Sequence, residues 1–220
     1  MKKNIFICLF TAVHGLVFAQ QAILNRDLID KNRPVSAHGK MVEYNNISGS
    51  AYLNPNFTES TISGYKSIQA RYNAFEDQIE YEDVEKKLMI LPKEDRYKKI
   101  EIAFPKQTIK LLSLENEPTG YYFELLEGKY SIYKKIKINF IDEKPVSSPY
   151  GTENQASFSA PVLTYFIISD NKVISKFQNQ KDFQNFAKTD KALQTFVKEN
   201  KIKFNRDNDV IKLVTYLNSK

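Results

Sequence analysis

Apolar and polar side chains alternate along much of the chain between residues 67 and 177, and beyond residue 180 the period changes from two to 3.6. Ile68, Ala70 and Tyr72 alternate with Ser67, Gln69, Arg71 and Asn73. After Ala74, Phe75, Glu76 and Asp77 the alternation resumes at Ile79 and Tyr81. Period two on both sides of a short polar break predicts a half-buried hairpin. Shorter runs predict strands at 88–91, 100–104 and 109–112, with Pro92 and Pro105 in the breaks between them. The longest run is 130–140. Tyr130, Ile132, Ile136, Ile138 and Phe140 share one face; Lys129, Ser131, Tyr133, Lys135, Lys137 and Asn139 share the other. Lys134 interrupts the apolar face, which predicts a bulge there or a stem that carries its ammonium to the rim. The partner strand is 121–126, joined through Glu127-Gly128. A further hairpin pairs 162–169 with 173–177 and turns at Asp170-Asn171, both of which tolerate positive φ.

The chain before residue 67 is less regular. Residues 41–44 read as a first strand. Residues 45–64 are rich in Asn, Ser, Thr and Gly and read as loop, with Ala51, Tyr52 and Leu53 touching the sheet. Residues 142–161 hold Pro145, Pro149 and Gly151 and form a long break of the kind that is functional or disordered. After Gln180, Phe183, Phe186 and Ala187 share a helix face, and Leu193, Phe196 and Val197 repeat it after a cap at Thr189-Asp190. A last cap within 205–208 precedes the stripe Val210, Leu213, Val214 and Leu217.

These elements predict an α+β protein. A curved, mostly antiparallel sheet of seven to nine strands, barrel-like in the limit, spans 41–177, and two or three C-terminal helices at 180–220 pack on it. Residues 41–220 form one globular domain, with a core that includes Ile68, Tyr72, Ile100, Ile102, Phe123, Ile136, Ile138, Phe166, Phe196, Leu213 and Leu217.

The first nineteen residues have a different character. Lys2 and Lys3 precede an apolar run, Ile5 to Phe10, and Val17-Phe18-Ala19 stand before Gln20-Gln21. That is the pattern of a secretory signal peptide cut after Ala19, too short to cross a bilayer. Residues 20–40 then form an N-terminal arm. Cleavage removes Cys8 and His14, leaving a cysteine-free mature chain with His38 as its one imidazole. Cys8 lies inside the apolar run, so it does not become a lipid-bearing first residue. The expected product is exported, periplasmic or secreted, and carries no transmembrane segment.

Loss of the cysteine removes thiol nucleophiles, thiolate-held zinc and iron–sulfur clusters. A serine hydrolase would depend on His38, which sits in the arm, and no Gly-x-Ser-x-Gly or phosphate-cradling glycine motif occurs. The formal charge of +6 falls with the loss of Lys2 and Lys3. The basic side chains are mostly lysine, which reads as solubility and excludes a nucleic-acid partner. The acidic run Glu76, Asp77, Glu80, Glu82, Asp83 and Glu85 lacks the spacing of a calcium loop. It reads as the solvated side of an edge strand, with Glu80 and Glu82 opposite Ile79 and Tyr81. A carboxylate pair for sugar hydrolysis is the weakest of the readings kept. Asn46-Ile47-Ser48 and Asn56-Phe57-Thr58 fit the glycosylation acceptor pattern. No catalytic residue, metal ligand or cofactor is assigned.

The binding candidates lie on the polar face of the long strand: Tyr133, Lys135 and Lys137, with Tyr122 across from them and Tyr150 on the long break. Tyrosine beside lysine suits an envelope or extracellular protein, a glycan or a lipid head group. The expectation is an exported, non-enzymatic binding protein whose surface joins this sheet face to residues 142–161. The alternatives are a carrier of a small apolar ligand inside the curved sheet and an exported hydrolase using a carboxylate pair.

Met1-Lys2-Lys3 with the cut before Gln20, Gly49-Ser50-Ala51-Tyr52-Leu53-Asn54, the stretch 71–80 (RYNAFEDQIE) and the closing helix 209–218 together resemble a broad set of secreted β-rich proteins of Bacteroidota-type bacteria. Those proteins carry no assigned activity. The resemblance implies export and a β-rich fold and brings no catalytic residue with it.

Overall fold

A computed structural model describes Tyr44 and residues 47–63, 67–143 and 155–220. The leader, the arm, residues 41–43 and Tyr150 lie outside the described residues, and Tyr44 itself is not in a strand. The described elements are β1 (Thr58–Ile62), β2 (Ile68–Asn73), β3 (Gln78–Glu82), β4 (Leu88–Ile90), β5 (Lys99–Ile102), β6 (Gln107–Leu112), β7 (Gly120–Leu126), β8 (Ser131–Lys137), β9 (Phe140–Ile141), β10 (Ser157–Phe158), β11 (Val162–Ser169), β12 (Lys172–Phe177), α1 (Gln180–Phe186), α2 (Lys191–Glu199) and α3 (Asp207–Asn218).

Ten of the strands form one open sheet in the order β12-β11-β8-β7-β6-β5-β1-β2-β3-β4, and β9 pairs with β10 separately. All neighbours run antiparallel. The α+β class, the antiparallel sheet and the C-terminal helices packed on it are as the pattern predicts; the strands exceed the seven to nine expected. Two strands lie in stretches read as loop: the two-residue β10, within 142–161, and β1, within 45–64, which adds a tenth strand to the large sheet. Thr58-Glu59-Ser60-Thr61-Ile62 has one aliphatic residue, so no alternation announces it. Pairing with β2 on one side and β5 on the other makes it a strand, and its buried Ser60 turns its hydroxyl onto the Thr58 carbonyl at 3.0 Å.

Turn chemistry sets the registers. Between β2 and β3, Asn73 Oδ1 accepts the N–H groups of Phe75 and Glu76 at 3.1 and 3.0 Å, and Asp77 takes φ 54°. Between β11 and β12, Asp170 and Asn171 sit at φ 49° and 61°, the left-handed pair of a two-residue hairpin. The Asp190 carboxylate caps α2 through the Leu193 N–H at 2.8 Å, and Asn179 caps α1 through the Asp182 N–H at 3.2 Å. The third cap differs from expectation. Arg206 occupies the position without a side-chain bond, and Asp207 and Asp209 in the first turn supply the negative charge that a helix start favours.

The sheet buries its two halves differently. From β1 to β8 it curls on itself around Ile62, Tyr72, Ile79, Met89, Ile100, Ile109, Tyr121 and Phe123. It does not close, yet β2 and β8, with four strands between them in the order, meet at their ends. The Ile138 N–H donates to the Ala74 carbonyl at 3.2 Å and the Tyr72 hydroxyl to the Ile136 carbonyl at 3.3 Å. Towards β12 the same face is covered by the helices: Ile132, Tyr165, Ile167 and Phe177 pack against Phe183, Leu193, Phe204, Val210, Leu213, Val214 and Leu217. Of the expected core, Ile68 and Phe196 are partly buried and the rest are buried.

Lys134 meets neither expectation made for it. The bulge lies across from it, where the β7–β8 register shifts between Glu124 and Leu126. The Lys134 stem points inward, 8% exposed, and its ammonium reaches Asp207 at the start of α3 at 2.5 Å. The Tyr165 hydroxyl donates to the other oxygen of Asp207 at 2.9 Å.

Candidate functional site

The turn between β2 and β3 carries residues to two polar clusters on either side of it. On one side Asp77 sits at the seam where the sheet meets itself. Its carboxylate accepts from the Tyr72 hydroxyl at 2.8 Å and from the Tyr121 backbone N–H at 3.2 Å, and pairs with Lys93 Nζ at 2.8 Å and Lys135 Nζ at 2.6 Å. Lys135 also donates to the Tyr121 carbonyl at 3.0 Å and lies over the Tyr122 ring, 4.9 Å from its centre. Gly120 makes this possible. A Cβ there would land against Asp77 Oδ2 and 2.6 Å from Lys135 Nζ. Burial lowers the Lys135 pKa, and the Asp77 charge opposes that shift. Burial raises the Tyr72 and Tyr121 hydroxyls, with Asp77 adding to both.

On the other side lies Glu80, 6% exposed. It accepts from Arg71 Nε at 2.8 Å, Asn73 Nδ2 at 2.9 Å and the Tyr52 hydroxyl at 3.1 Å. The Arg71 guanidinium is held between the rings of Tyr52 and Phe57, 4.0 and 4.3 Å from their centres, and donates to the Pro55 carbonyl at 2.8 Å. Tyr44, Phe75, Phe140 and Phe158 stack edge-on beside it. Burial pushes the Tyr44 hydroxyl up to about 12, and burial together with the Glu80 charge raises the Glu76 carboxyl. The reading of Glu80 as the solvated side of an edge strand is corrected here. β3 lies between β2 and β4, Glu80 stands opposite Arg71 in the register, and the segment 47–57 covers that face through Tyr52.

The expected binding residues separate by depth. Tyr122 and Tyr133, read from sequence as an exposed pair, are 1% and 8% exposed. They form a small third core with Phe166 and Ile168, and Leu112 and Leu114 pack over it. The connection 113–119 also brings Glu117 onto Lys176 of β12. Tyr133 donates to Glu124 at 3.2 Å, and Lys110 pairs with the same carboxylate. Burial raises the Tyr133 hydroxyl and pushes Tyr122 to about 12. Lys135 is half-buried in the seam, Lys137 is exposed at the end of β8, and Tyr150 lies outside the described residues. Sequence reasoning missed Asp77, Glu80 and Lys93 as site residues. One signal was available: Asp77 and Asn73 flank a turn, where short polar side chains bond backbone.

Among the described residues no group of three or more His, Cys, Asp and Glu is placed to hold a metal, and no helix is long and apolar enough to cross a membrane. No protein-family model, curated protein or solved structure matches the chain.

Proposed function

We propose that the protein is an exported binding module of the cell envelope or the surrounding medium, and that recognition centres on the end of β8, where Lys137 is exposed next to the half-buried Lys135 and the β2–β3 turn. One observation carries this reading: the carboxylates of the two polar clusters, half-buried Asp77 and buried Glu80, are filled with donors from the chain itself. Asp77 takes four donors and Glu80 takes three side chains, so Asp77 is committed to holding the seam and Glu80 to joining β3 with β2 and the segment 47–57. A seam that ends beside the exposed Lys137 suits recognition of an anionic group on an envelope protein, glycan or lipid head group. Export rests on the leader pattern at 1–19 and on the resemblance to secreted β-rich proteins. N-terminal sequencing of the protein recovered outside the cytoplasm should begin at Gln20.

The test of location is Lys135→Gln with Lys137→Glu. Immobilised wild-type protein should retain a partner from envelope extract, and the double variant should lose it with an unchanged circular dichroism spectrum. Equal capture by both proteins would place recognition elsewhere. A second reading, a carrier of a small ligand inside the curled sheet, is favoured by the hydroxyls of Tyr81 and Tyr121, both buried without a hydrogen-bond partner. Native mass spectrometry after gentle purification separates the two: an added small-molecule mass supports a carrier, and a bare chain mass counts against it.

A further inference from the structure

The three C-terminal helices carry an asymmetry of charge that their docking on the sheet does not need. Residues 178–220 hold nine basic side chains, Lys181, Lys188, Lys191, Lys198, Lys201, Lys203, Arg206, Lys212 and Lys220, and all nine residues are exposed. They hold five acidic ones, and four of these are turned to internal work. Asp182 accepts the Gln178 N–H at 3.0 Å, Asp190 caps α2, Asp207 binds Lys134 and Tyr165, and Asp209 accepts the Lys203 N–H at 3.0 Å. Lys220 pairs with Asp190 at 3.1 Å; the other eight cations enter no ion pair within the described residues.

Helical spacing puts four of these cations, Lys181, Lys191, Lys198 and Lys212, on the side away from the sheet. Lys191 and Lys198 are two turns apart, opposite buried Leu193, and Lys212 lies opposite the buried stripe of Val210, Val214 and Leu217. With nine basic and five acidic side chains this segment carries a net charge of +4 (9 − 5), and a surface excess of that sign attracts anions. The layer shows no apolar anchor. The exposed large apolar residues of the described chain, from Leu53 to Ile174, all precede the helices. Eight of the nine cations are lysine, a compact point charge without the planar fork that reads base edges.

We propose that the outer face of α1–α3 binds a linear polyanion bearing repeated sulfate, phosphate or carboxylate groups, held by charge density and counterion release. This surface is distinct from the end of β8 and does not depend on it.

The experiment uses the full chain, with heparin as the probe. A helix variant carries Lys181, Lys191, Lys198 and Lys212 changed to Gln. A control of equal charge carries Lys98, Lys99, Lys106 and Lys129 changed to Gln. The wild type and the control should bind heparin at low salt. The helix variant should bind more than 10-fold more weakly, and its slope of log affinity against log salt should be shallower by about three, at roughly 0.7 per contact for a flexible polyanion. The same four positions changed to Arg should restore binding, which separates lost charge from lost fold. Equal weakening of both Gln variants would reduce the effect to net charge and overturn the proposal. So would an unchanged helix variant, or tighter binding to vesicles of anionic lipid than to heparin.

Discussion

The curled half of the sheet and the helix-covered half solve one problem, hiding an apolar face, by opposite means. Between β1 and β8 the sheet turns on itself, and its ends must be fastened. A polar network does this at the seam, where Asp77 gathers Tyr72, Tyr121, Lys93 and Lys135, and a second one around Glu80 ties Arg71 and Asn73 of β2 and Tyr52 to β3. From β8 to β12 three amphipathic helices supply the cover. The core there is aromatic and aliphatic, with Tyr165 stacked on Phe177 at 5.6 Å, and polar latches hold both ends of α3: Lys134 and Tyr165 on Asp207, and the Tyr130 backbone on the Asn218 amide at 2.7 and 2.8 Å. A sheet that closes on itself has few degrees of freedom left and needs directional bonds to choose its seam. A helix with an apolar stripe is held along its length by shape and needs directional bonds only at its ends.

That contrast makes the curled half sensitive to charge and the helical half sensitive to volume. The largest loss is expected from Glu80→Ala, which strands a partly buried guanidinium; removing one member of a buried pair costs about 3–5 kcal/mol. Chemical denaturation would measure it, and a loss under about 1 kcal/mol would show that Arg71 finds water instead. Leu213→Ala in the helical half should cost about 2–5 kcal/mol through the cavity it leaves. If it costs only about half a kcal/mol, as at exposed sites, α3 does not dock as described.

Gly120→Ala should follow, at about 1–3 kcal/mol, because the new methyl forces Asp77 and Lys135 apart. The same substitution at Gly128 approaches only the Asn218 amide, at 3.0 Å, and should cost less, so the difference between the two measures the seam itself. The smallest effect belongs to Glu76→Gln. The native carboxyl has a raised pKa, so its contribution is most favourable when protonated and is lost as pH rises through the folded value. The Gln variant should therefore melt slightly higher than wild type at pH 7, and the gain should disappear in acid below the range where a free glutamate titrates. At the other extreme, tyrosines raised by burial, among them Tyr81 and Tyr122 at about 12, favour the folded state while protonated. Stability should fall from about pH 10 upward, as the unfolded chain ionises first.

Much of this architecture is legible in the chain. The β2–β3 and β11–β12 hairpins, the β7–β8 pairing and the helix stripes stand where periodicity places them, because each depends on residues near one another in sequence. The polar face of β8 differs from its pattern. Its alternation is real, but alternation says which side chains share a face, not whether that face meets water. The neighbouring strand holds the contrary signal: Leu163 to Ile168 is apolar at nearly every position, as in a strand covered on both faces.

Local pattern alone therefore determined the elements, most of the turns and the amphipathic helices, since propensity, turn chemistry and period act over a few residues. Tertiary structure decided which charges are buried, where the curled sheet meets itself, and that Thr58–Ile62 is a strand at all. Those outcomes rest on partners tens of residues away in sequence, such as Asp77 with Lys135 and Lys134 with Asp207, and a hydrogen bond between distant segments leaves no periodic trace in either.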